Sequence, residues 1–294
     1  MRHRLICTAS FLFMNGGTPM KIGIVGLGLI GGSFARAFRE AGHSVFAFDT
    51  NAESMRQARE DGTVTAPLTD DIIPECDLIL VCVYPEAAMA FMTEKAPLFG
   101  KKPVVMDSCG TKRAIVGHGM ALAKEYGFTY AGGHPMAGTE FSGYAYSRST
   151  LFKNAPMAVV LPEDGDEKLL AHIESLLAPV AFGSIKVTTA EDHDAVIAFT
   201  SQLPHVISSA YVKSPVAPMH AGLSAGSYKD MSRVARSSPE MWAQLFLEDS
   251  DNLAKEIDCM IEHLKEYRDA VLAGDREELI RLYREGREIK ININ

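Results

Sequence analysis

From residue 21 to residue 190, the chain alternates short apolar runs with segments whose apolar residues recur at helical spacing. The runs KIGIVG (21–26), SVFAFD (44–49) and DLILVCVYP (77–85) are short and mainly apolar, as buried parallel strands tend to be. Between them, segments such as LIGGSFARAFREAG (29–42) place their apolar residues on one helical face. This alternation predicts an α/β fold with a Rossmann-type doubly wound parallel sheet and helices on both of its faces.

The same pattern predicts further strands and the limits of two helices. The later predicted strands are PVVMDS (103–108), FTYAGG (128–133), APMAVVLPEDG (155–165) and GSIKVTT (183–189). Thr50 and Glu53 have capping-box spacing, which predicts that the second helix begins at Thr50. Gly42 and Gly62 stand where a left-handed residue would end the first and second helices.

The last third of the chain has a different pattern, because nearly all of it is typical of amphipathic helices. One long helical segment covers residues 190–214, and Pro204 is predicted to kink it. Beyond Ala221, apolar residues recur at i, i+3 and i+4 almost to the end of the chain. So many amphipathic faces predict an all-helical domain that packs helix on helix and forms a homodimer.

These patterns divide the chain into three parts. Residues 1–19 superficially resemble a signal peptide, but their apolar stretch is short and is interrupted by Thr8 and Ser10. We interpret them as a disordered upstream extension, with the folded protein beginning at Met20. The expected domains are the α/β domain over 20–188 and the helical domain over 189–294.

Composition and charge restrict the expected partners. The 294-residue chain has a formal net charge of −8, which argues against nucleic acid or an anionic membrane as a general partner. No apolar run reaches the roughly 20 residues of a membrane-spanning helix. The five cysteines are scattered without a C-x-x-C pair, which favours reduced thiols in a cytoplasmic protein. No H-x-x-x-H or clustered Cys/His pattern occurs, so no metal site is predicted.

A glycine-rich turn after the first strand predicts a dinucleotide site. GLGLIG has the G-x-G-x-x-G pattern, follows a strand and opens a helix, so a pyrophosphate would face the free N–H groups of the helix N-terminus. Asp49 ends the second strand, where a carboxylate accepts hydrogen bonds from ribose hydroxyls and repels a 2′-phosphate, which favours NAD over NADP. The predicted cofactor-binding residues are Gly26, Leu27, Gly28, Leu29, Ile30, Gly31 and Asp49.

The irregular stretch GGHPMAGTEFSG (132–143) is predicted to be a loop at the carboxyl edge of the sheet. Ligands of open α/β sheets bind beyond the carboxyl ends of the strands, so His134 would lie near the nicotinamide. A neutral imidazole there can accept a proton from a substrate hydroxyl while a hydride leaves the same carbon. Position alone leaves open a histidine that merely caps a loop.

Four stretches together resemble a known family. They are GLGLIGGS, GGHPMAGTE, SQLPHV and GSYKDMSRVARSSPEMW, and with them the chain resembles the prephenate/arogenate dehydrogenases of tyrosine biosynthesis from Met20 to its C-terminal helices. The resemblance implies a dinucleotide-binding domain followed by a helical dimerisation domain. It also implies NAD-dependent oxidative decarboxylation of prephenate to 4-hydroxyphenylpyruvate.

The resemblance also implies roles for individual residues. His134 would be the catalytic histidine on the ring hydroxyl, His205 a second active-site histidine, and Glu140 a carboxylate that influences substrate entry and pH response. Arg233 would bind a substrate carboxylate, an expectation that its bidentate guanidinium supports. Lys229, one helical turn before Arg233, and Ser201, about one turn before His205, are the other expected substrate-binding residues.

Two questions stay open at this point. Many family members have D-x-G-S-x-K after the fifth strand, but DSCGTK places Gly110 at the serine position, leaving Ser108 and Thr111 as candidate hydroxyls. The substrate is either prephenate or arogenate, and His205 with Glu140 favours prephenate. A β-hydroxyacid dehydrogenase would be expected to use a catalytic lysine in the helical domain, and the HPMAG stretch argues against it. A non-catalytic NAD-binding protein is the remaining alternative.

Overall fold

The structure is a computed structural model that describes residues 18–139, 141–162 and 166–293. The described chain falls into two compact units, divided between Ala190 and Glu191. The predicted upstream extension lies outside the described residues except for its last two, which precede the first strand without regular structure.

The first unit is built on one eight-stranded sheet with the order β3-β2-β1-β4-β5-β6-β7-β8. The strands are β1 (Lys21–Val25), β2 (Ser44–Phe48), β3 (Ala66–Pro67), β4 (Leu78–Val81), β5 (Val104–Asp107), β6 (Thr129–Pro135), β7 (Pro156–Val160) and β8 (Ser184–Val187). All neighbours pair in parallel except β6 and β7, which are antiparallel. The predicted Rossmann-type doubly wound parallel sheet is confirmed, except that β7 and β8, which pair with each other in parallel, run antiparallel to the first six strands.

Helices cover both faces of this sheet. They are α1 (Leu29–Glu40), α2 (Ala52–Glu60), α3 (Pro85–Phe99), α4 (Arg113–Tyr126) and α5 (Glu167–Leu177). Successive residues of the central strands enter opposite cores: Leu78 packs with Phe34 of α1, whereas the next residue, Ile79, packs with Met92 of α3. A strand that is buried on both faces must be apolar at every position, which explains the continuous apolar runs.

The structure corrects the start of α2 and confirms the ends of the first two helices. Asn51, not Thr50, caps α2, because its side-chain oxygen accepts hydrogen bonds from the backbone N–H groups of Glu53 and Ser54. Gly42 and Gly62 have φ values of +89° and +75°, the left-handed conformation that glycine adopts without a steric penalty. The capping-box prediction was therefore one residue early.

The second unit contains only helices and turns among its described residues. The chain enters it through α6 (Ala190–Ile197), a π turn (Ala198–Gln202) and α7 (Leu203–Tyr211), and continues as α8 (Gly226–Ser232), α9 (Pro239–Glu248), α10 (Ser250–Ala273) and α11 (Arg276–Asn292). The single long helix predicted over 190–214 is thus interrupted. The interruption is a π turn just before Pro204, where a kink was expected.

Large apolar side chains remain exposed on the two long C-terminal helices. Leu264 and Leu272 of α10 are 59% and 78% exposed, and Tyr283 of α11 is 73% exposed. An apolar surface of this kind on a single chain is typical of a face that another protein covers. No helix among the described residues is both long enough and apolar enough to cross a membrane.

Candidate active site

The turn between β1 and α1 has the geometry of a phosphate-binding loop. Gly26 has φ +89°, and a Cβ there would lie 2.5 Å from Cγ1 of Val83. A Cβ on Gly31 would lie only 1.8 Å from the carbonyl oxygen of Gly26, so these two glycines are required by close packing of turn, strand and helix. Gly28 differs, because a Cβ there meets no protein atom within 4 Å. Its backbone is accessible at the N-terminus of α1, where no side chain caps the helix.

Asp49 directly follows β2 and contacts the same turn. One oxygen of its carboxylate accepts a hydrogen bond from the backbone N–H of Leu27, and the other accepts from the N–H of Asn51 at 2.7 Å. The carboxylate is therefore fixed next to the glycine turn, where a ribose would lie. A cavity of about 700 Å³ adjoins it, lined by Asp49, Ala52, Met55, Arg56, Arg59 and Glu60.

Arg56 was not considered in the sequence prediction, although its guanidinium lines this cavity. It is paired within its own helix, with Glu53 at 2.5 Å and with Glu60 at 2.6 Å. Two carboxylates neutralise its charge, so it offers little attraction for a 2′-phosphate. The Asp49 carboxylate beside this cavity favours NAD, because it would repel a 2′-phosphate.

We expect alanine at Gly28 and at Gly31 to have opposite effects. Gly28→Ala adds a methyl group without a protein clash, so the free energy of unfolding should change by less than about 0.5 kcal/mol, while the Kd for NAD rises roughly tenfold. Gly31→Ala should lower the free energy of unfolding by about 1–3 kcal/mol or more because of the clash with Gly26. Thermal unfolding and NAD titration by fluorescence measure both, with Gly117→Ala, equally open in α4, as the control. Unchanged NAD affinity in Gly28→Ala would contradict the assignment.

His134 lies in a strand and not in a loop, which corrects the sequence prediction. The first three residues of β6 pair with β5, and the last four, Gly132–Pro135, pair with β7, where His134 lies opposite Ala158. The antiparallel β7 thus extends β6 beyond its pairing with β5, and His134 is half-buried on this extension. The irregular segment begins only after Pro135, with Met136 donating its N–H to the Pro156 carbonyl.

The glycines before His134 serve packing. A Cβ on Gly132 would lie 2.6 Å from Cγ2 of Val116, and a Cβ on Gly133 would lie 2.7 Å from the carbonyl oxygen of Asp107. These glycines allow β6 to lie against α4 and β5 without a side chain between them.

Beneath His134 is a buried ion pair that the sequence prediction missed. Asp107 and Lys112 are both fully buried, and the ammonium of Lys112 contacts the Asp107 carboxylate. The same carboxylate accepts hydrogen bonds from the Tyr130 hydroxyl at 2.8 Å, the Cys109 N–H at 2.9 Å and the Gly133 N–H at 3.2 Å. Burial and this carboxylate raise the pKa of Tyr130 well above its ordinary value, so its hydroxyl stays a donor. The network fixes the backbone directly before His134.

The hydroxyls considered as replacements for the family serine have different surroundings. The Ser108 hydroxyl is half-buried and lies 3.4 Å from the carbonyl oxygen of Val81, a weak hydrogen bond at best. Thr111 is almost completely buried next to Lys112. Glu140 lies outside the described residues, so its predicted role stays a prediction.

Two of the predicted residues of the second unit, Ser201 and Arg233, act on His205. Its Nδ1 lies 2.8 Å from the backbone carbonyl oxygen of Ser201, one turn earlier. Its ring stacks on Trp242 of α9, with 3.7 Å between centroids and 28° between planes. Burial lowers the pKa of His205, the hydrogen bond to Ser201 opposes this, and the positive charge of Arg233 lowers it further. His205 is therefore neutral at neutral pH.

Three cations lie within eight residues of the chain, and one of them, Arg233, acts on the pKa of His205. Lys229 lies in α8, which ends at Ser232. Arg233 begins a 3₁₀ turn that ends at Arg236, so, contrary to expectation, Lys229 and Arg233 do not lie on the same α-helix. All three cations are exposed, and the described chain shows no carboxylate paired with any of them. The buried indole N–H of Trp242 likewise makes no hydrogen bond within the described residues. The cluster is suited to an anionic ligand.

Two family models match the chain. The prephenate dehydrogenase nucleotide-binding domain matches residues 34–198, and the prephenate dehydrogenase dimerisation domain matches residues 189–285. The chain belongs to the prephenate dehydrogenase family. The prediction from the four sequence stretches is thereby confirmed at the level of the family.

Individual relatives of this prephenate dehydrogenase family member differ in their substrates. The cyclohexadienyl dehydrogenase of Zymomonas mobilis is 30% identical over 282 residues, which cover 92% of this chain and 94% of that protein. The Aquifex aeolicus prephenate dehydrogenase, solved with hydroxyphenyl propionate and NAD⁺, has a TM-score of 0.80 at 25% identity and covers 95% of this chain and 100% of its own. Synechocystis arogenate dehydrogenase has a TM-score of 0.77 at 26% identity, with 94% and 100% covered.

Family membership defines the cofactor and the assembly of this dehydrogenase. It binds NAD, and the residues fit this cofactor, since the backbone of Gly28 is open at the N-terminus of α1 and the Asp49 carboxylate is fixed beside the same turn. It forms a homodimer through the helical dimerisation domain, which explains the exposed apolar side chains of α10 and α11. Among the described residues, no group of three or more His, Cys, Asp or Glu side chains could hold a metal ion.

Proposed function

We propose that the protein catalyses the NAD-dependent oxidative decarboxylation of prephenate to 4-hydroxyphenylpyruvate in tyrosine biosynthesis, as a cytoplasmic homodimer. The observation that carries the choice of substrate is the positive charge around His205. Arg233 lowers the pKa of that histidine and has no carboxylate partner within the described chain, and Lys229 and Arg236 are close to it in sequence. Prephenate carries two carboxylates, so such a cluster favours it over a substrate that also carries an ammonium group.

Each proposed residue has one task in this reaction. NAD, when bound, supplies the hydride acceptor. His134 accepts a hydrogen bond from the ring hydroxyl and takes up its proton as the hydride leaves the same carbon. Loss of CO₂ then makes the ring aromatic, and the proton returns to the resulting phenolate oxygen, so the reaction releases no net proton. Arg233 binds a substrate carboxylate through its two-pronged guanidinium.

Three further residues have proposed roles in the reaction. Lys229 adds positive charge for the second carboxylate. Ser201 is a proposed substrate-binding residue, one turn before His205, and its side chain is half-buried. Glu140 is proposed to influence substrate entry and the pH response.

Arogenate is the second candidate substrate, and one observation favours it. The Nδ1 of His205 points at the Ser201 carbonyl, so in the neutral ring the remaining nitrogen, Nε2, is a hydrogen-bond acceptor. The ammonium group of arogenate could donate to Nε2, whereas the keto oxygen of prephenate could not.

A side-by-side assay tests both substrates. NADH formation is followed by absorbance with prephenate and with arogenate at equal concentrations, with NAD and then with NADP. We expect a higher kcat/KM with prephenate and NAD. A higher value with arogenate would establish the second candidate, and no NADH from either substrate would leave only an NAD-binding protein without this activity.

The proposed role of Arg233 predicts a loss of substrate affinity. Arg233→Gln should raise the KM for prephenate by roughly 10- to 100-fold, because a charged hydrogen bond contributes about 1.5–3 kcal/mol. Arg233→Lys should recover only part of this, since an ammonium cannot form the bidentate pair. Steady-state kinetics measures both, with Arg268→Gln, an exposed arginine of α10 paired with Asp269, as the control. An unchanged KM in Arg233→Gln would remove this residue from the site.

A further inference from the structure

Pro204 directly precedes His205, at the point where the hydrogen bonding of the helix changes. The five residues before α7, Ala198–Gln202, form a π turn. Within it, the N–H of Leu203 donates to the carbonyl of Ala198, which lies five residues back and not four. Such wide turns are rare and occur mostly as single turns inside α-helices, often at functional sites.

Proline chemistry accounts for the wide turn. Pro204 has no backbone N–H to donate to the carbonyl of Thr200, and in a regular α-helix its ring would collide with that carbonyl. A turn widened by one residue relieves the collision while the Leu203 N–H keeps a partner. Because the Pro204 side chain is exposed, packing against a core does not explain its presence.

The turn places the Ser201 carbonyl next to the His205 side chain. The Nδ1 of His205 lies 2.8 Å from that oxygen. A carbonyl oxygen cannot donate, so Nδ1 carries the proton of the neutral ring and Nε2 carries the lone pair. Trp242 covers one face of the ring at 3.7 Å and limits its rotation. The tautomer thus follows from the backbone around Pro204.

We propose that Pro204 is a positioning residue, which maintains the π turn and thereby holds the Ser201 carbonyl against Nδ1 of His205, fixing the tautomer that presents Nε2 as an acceptor. The catalytic consequence rests on the proposed function of His205. The tautomer itself does not, because it is a property of the protein without substrate.

Nitrogen NMR tests the proposal directly. The homodimer is labelled with ¹⁵N-histidine and studied at about pH 8, where histidine is neutral. The His205 signals are assigned by their loss in His205→Asn. We expect Nδ1 of the unsubstituted protein to show the shift of a protonated nitrogen and Nε2 that of an unprotonated one. In Pro204→Ala the regular α-helix becomes accessible, and we expect a substantial population with the proton on Nε2.

Two controls separate the backbone effect from other causes. Pro97→Ala removes a proline that also lies inside a helix, α3 of the first unit, and should leave the His205 signals unchanged. Ser201→Ala keeps the backbone carbonyl and should preserve the tautomer, whatever it does to substrate binding. If Pro204→Ala folds poorly, Pro204→Ser restores the same N–H and serves the same comparison.

The outcomes distinguish this proposal from the proposed function. An unprotonated Nδ1 in the unsubstituted protein, or an unchanged tautomer in a folded Pro204 variant, overturns the positioning role. A tautomer shift in a protein that still oxidises prephenate supports both, and the kcat/KM for arogenate, whose ammonium group loses its acceptor at Nε2, should then fall roughly 10- to 100-fold relative to that for prephenate. A tautomer shift in a protein that turns over neither prephenate nor arogenate supports the positioning role and refutes the proposed function.

Discussion

Replacing His134 by asparagine is expected to lower kcat for prephenate by roughly 10²- to 10⁴-fold, because a positioned general base contributes about that much. Asparagine can still donate or accept a hydrogen bond but cannot take up a proton at neutral pH. Since the proposed NAD site is formed by the glycine turn and Asp49, the Kd for NAD should change little. The loss should therefore appear in kcat and in kcat/KM alike, as for an interaction made mainly in the transition state.

Stopped-flow single turnovers measure this loss at the chemical step and exclude product release as its cause. His172→Asn is the matched control, because His172 is an exposed histidine of α5 in the same unit. Thermal unfolding of both variants shows whether the fold is kept. Full turnover by a folded His134→Asn protein would contradict the proposed catalytic role, even if prephenate proved to be the substrate.

The second large effect concerns stability. Asp107→Asn should lower the free energy of unfolding by about 3–5 kcal/mol, because it leaves the ammonium of Lys112 buried without its countercharge. Asp70→Asn removes one of the two carboxylates paired with Lys95, Glu94 being the other, and should change the free energy of unfolding by less than about 1 kcal/mol. Urea unfolding of the homodimer at one fixed protein concentration compares the two.

A double-mutant cycle separates the ion pair from the other bonds of Asp107. Lys112→Met removes the buried charge, so Asp107→Asn combined with Lys112→Met should be more stable than Asp107→Asn alone. Equal stability of the single and the double variant would mean that the ammonium of Lys112 is not the source of the loss. Tyr130→Phe removes only a hydroxyl and should cost about 1 kcal/mol.

The sequence predicts much of the first unit because its strands and helices are encoded by local patterns. A strand buried on both faces has a continuous apolar run, and Gly42 and Gly62 mark helix ends by their left-handed conformation. The direction of a strand has no such local signature. Nothing in APMAVV shows that β7 runs antiparallel to β6, so that β6 continues through His134.

The site was predictable only where a motif determines local geometry. The glycine turn and Asp49 belong to one βαβ unit, and the structure places them together as expected. The Asp107 network could not be predicted, because DSCGTK reads as a polar loop and Tyr130 follows more than 20 residues later. Likewise, Pro204 predicts a disturbed helix, but not a π turn that offers the Ser201 carbonyl to His205.

The strand position of His134 has a consequence for catalysis. A loop that carries a catalytic group must be ordered when the substrate binds, and this loss of backbone entropy, about 1–2 kcal/mol per residue, weakens binding or slows the reaction. Because His134 pairs with Ala158 of β7, its backbone is already ordered as part of the sheet. The entropy loss of ordering this backbone is therefore already included in the free energy of folding. The binding energy of the substrate is then available to align the reacting carbon with the cofactor.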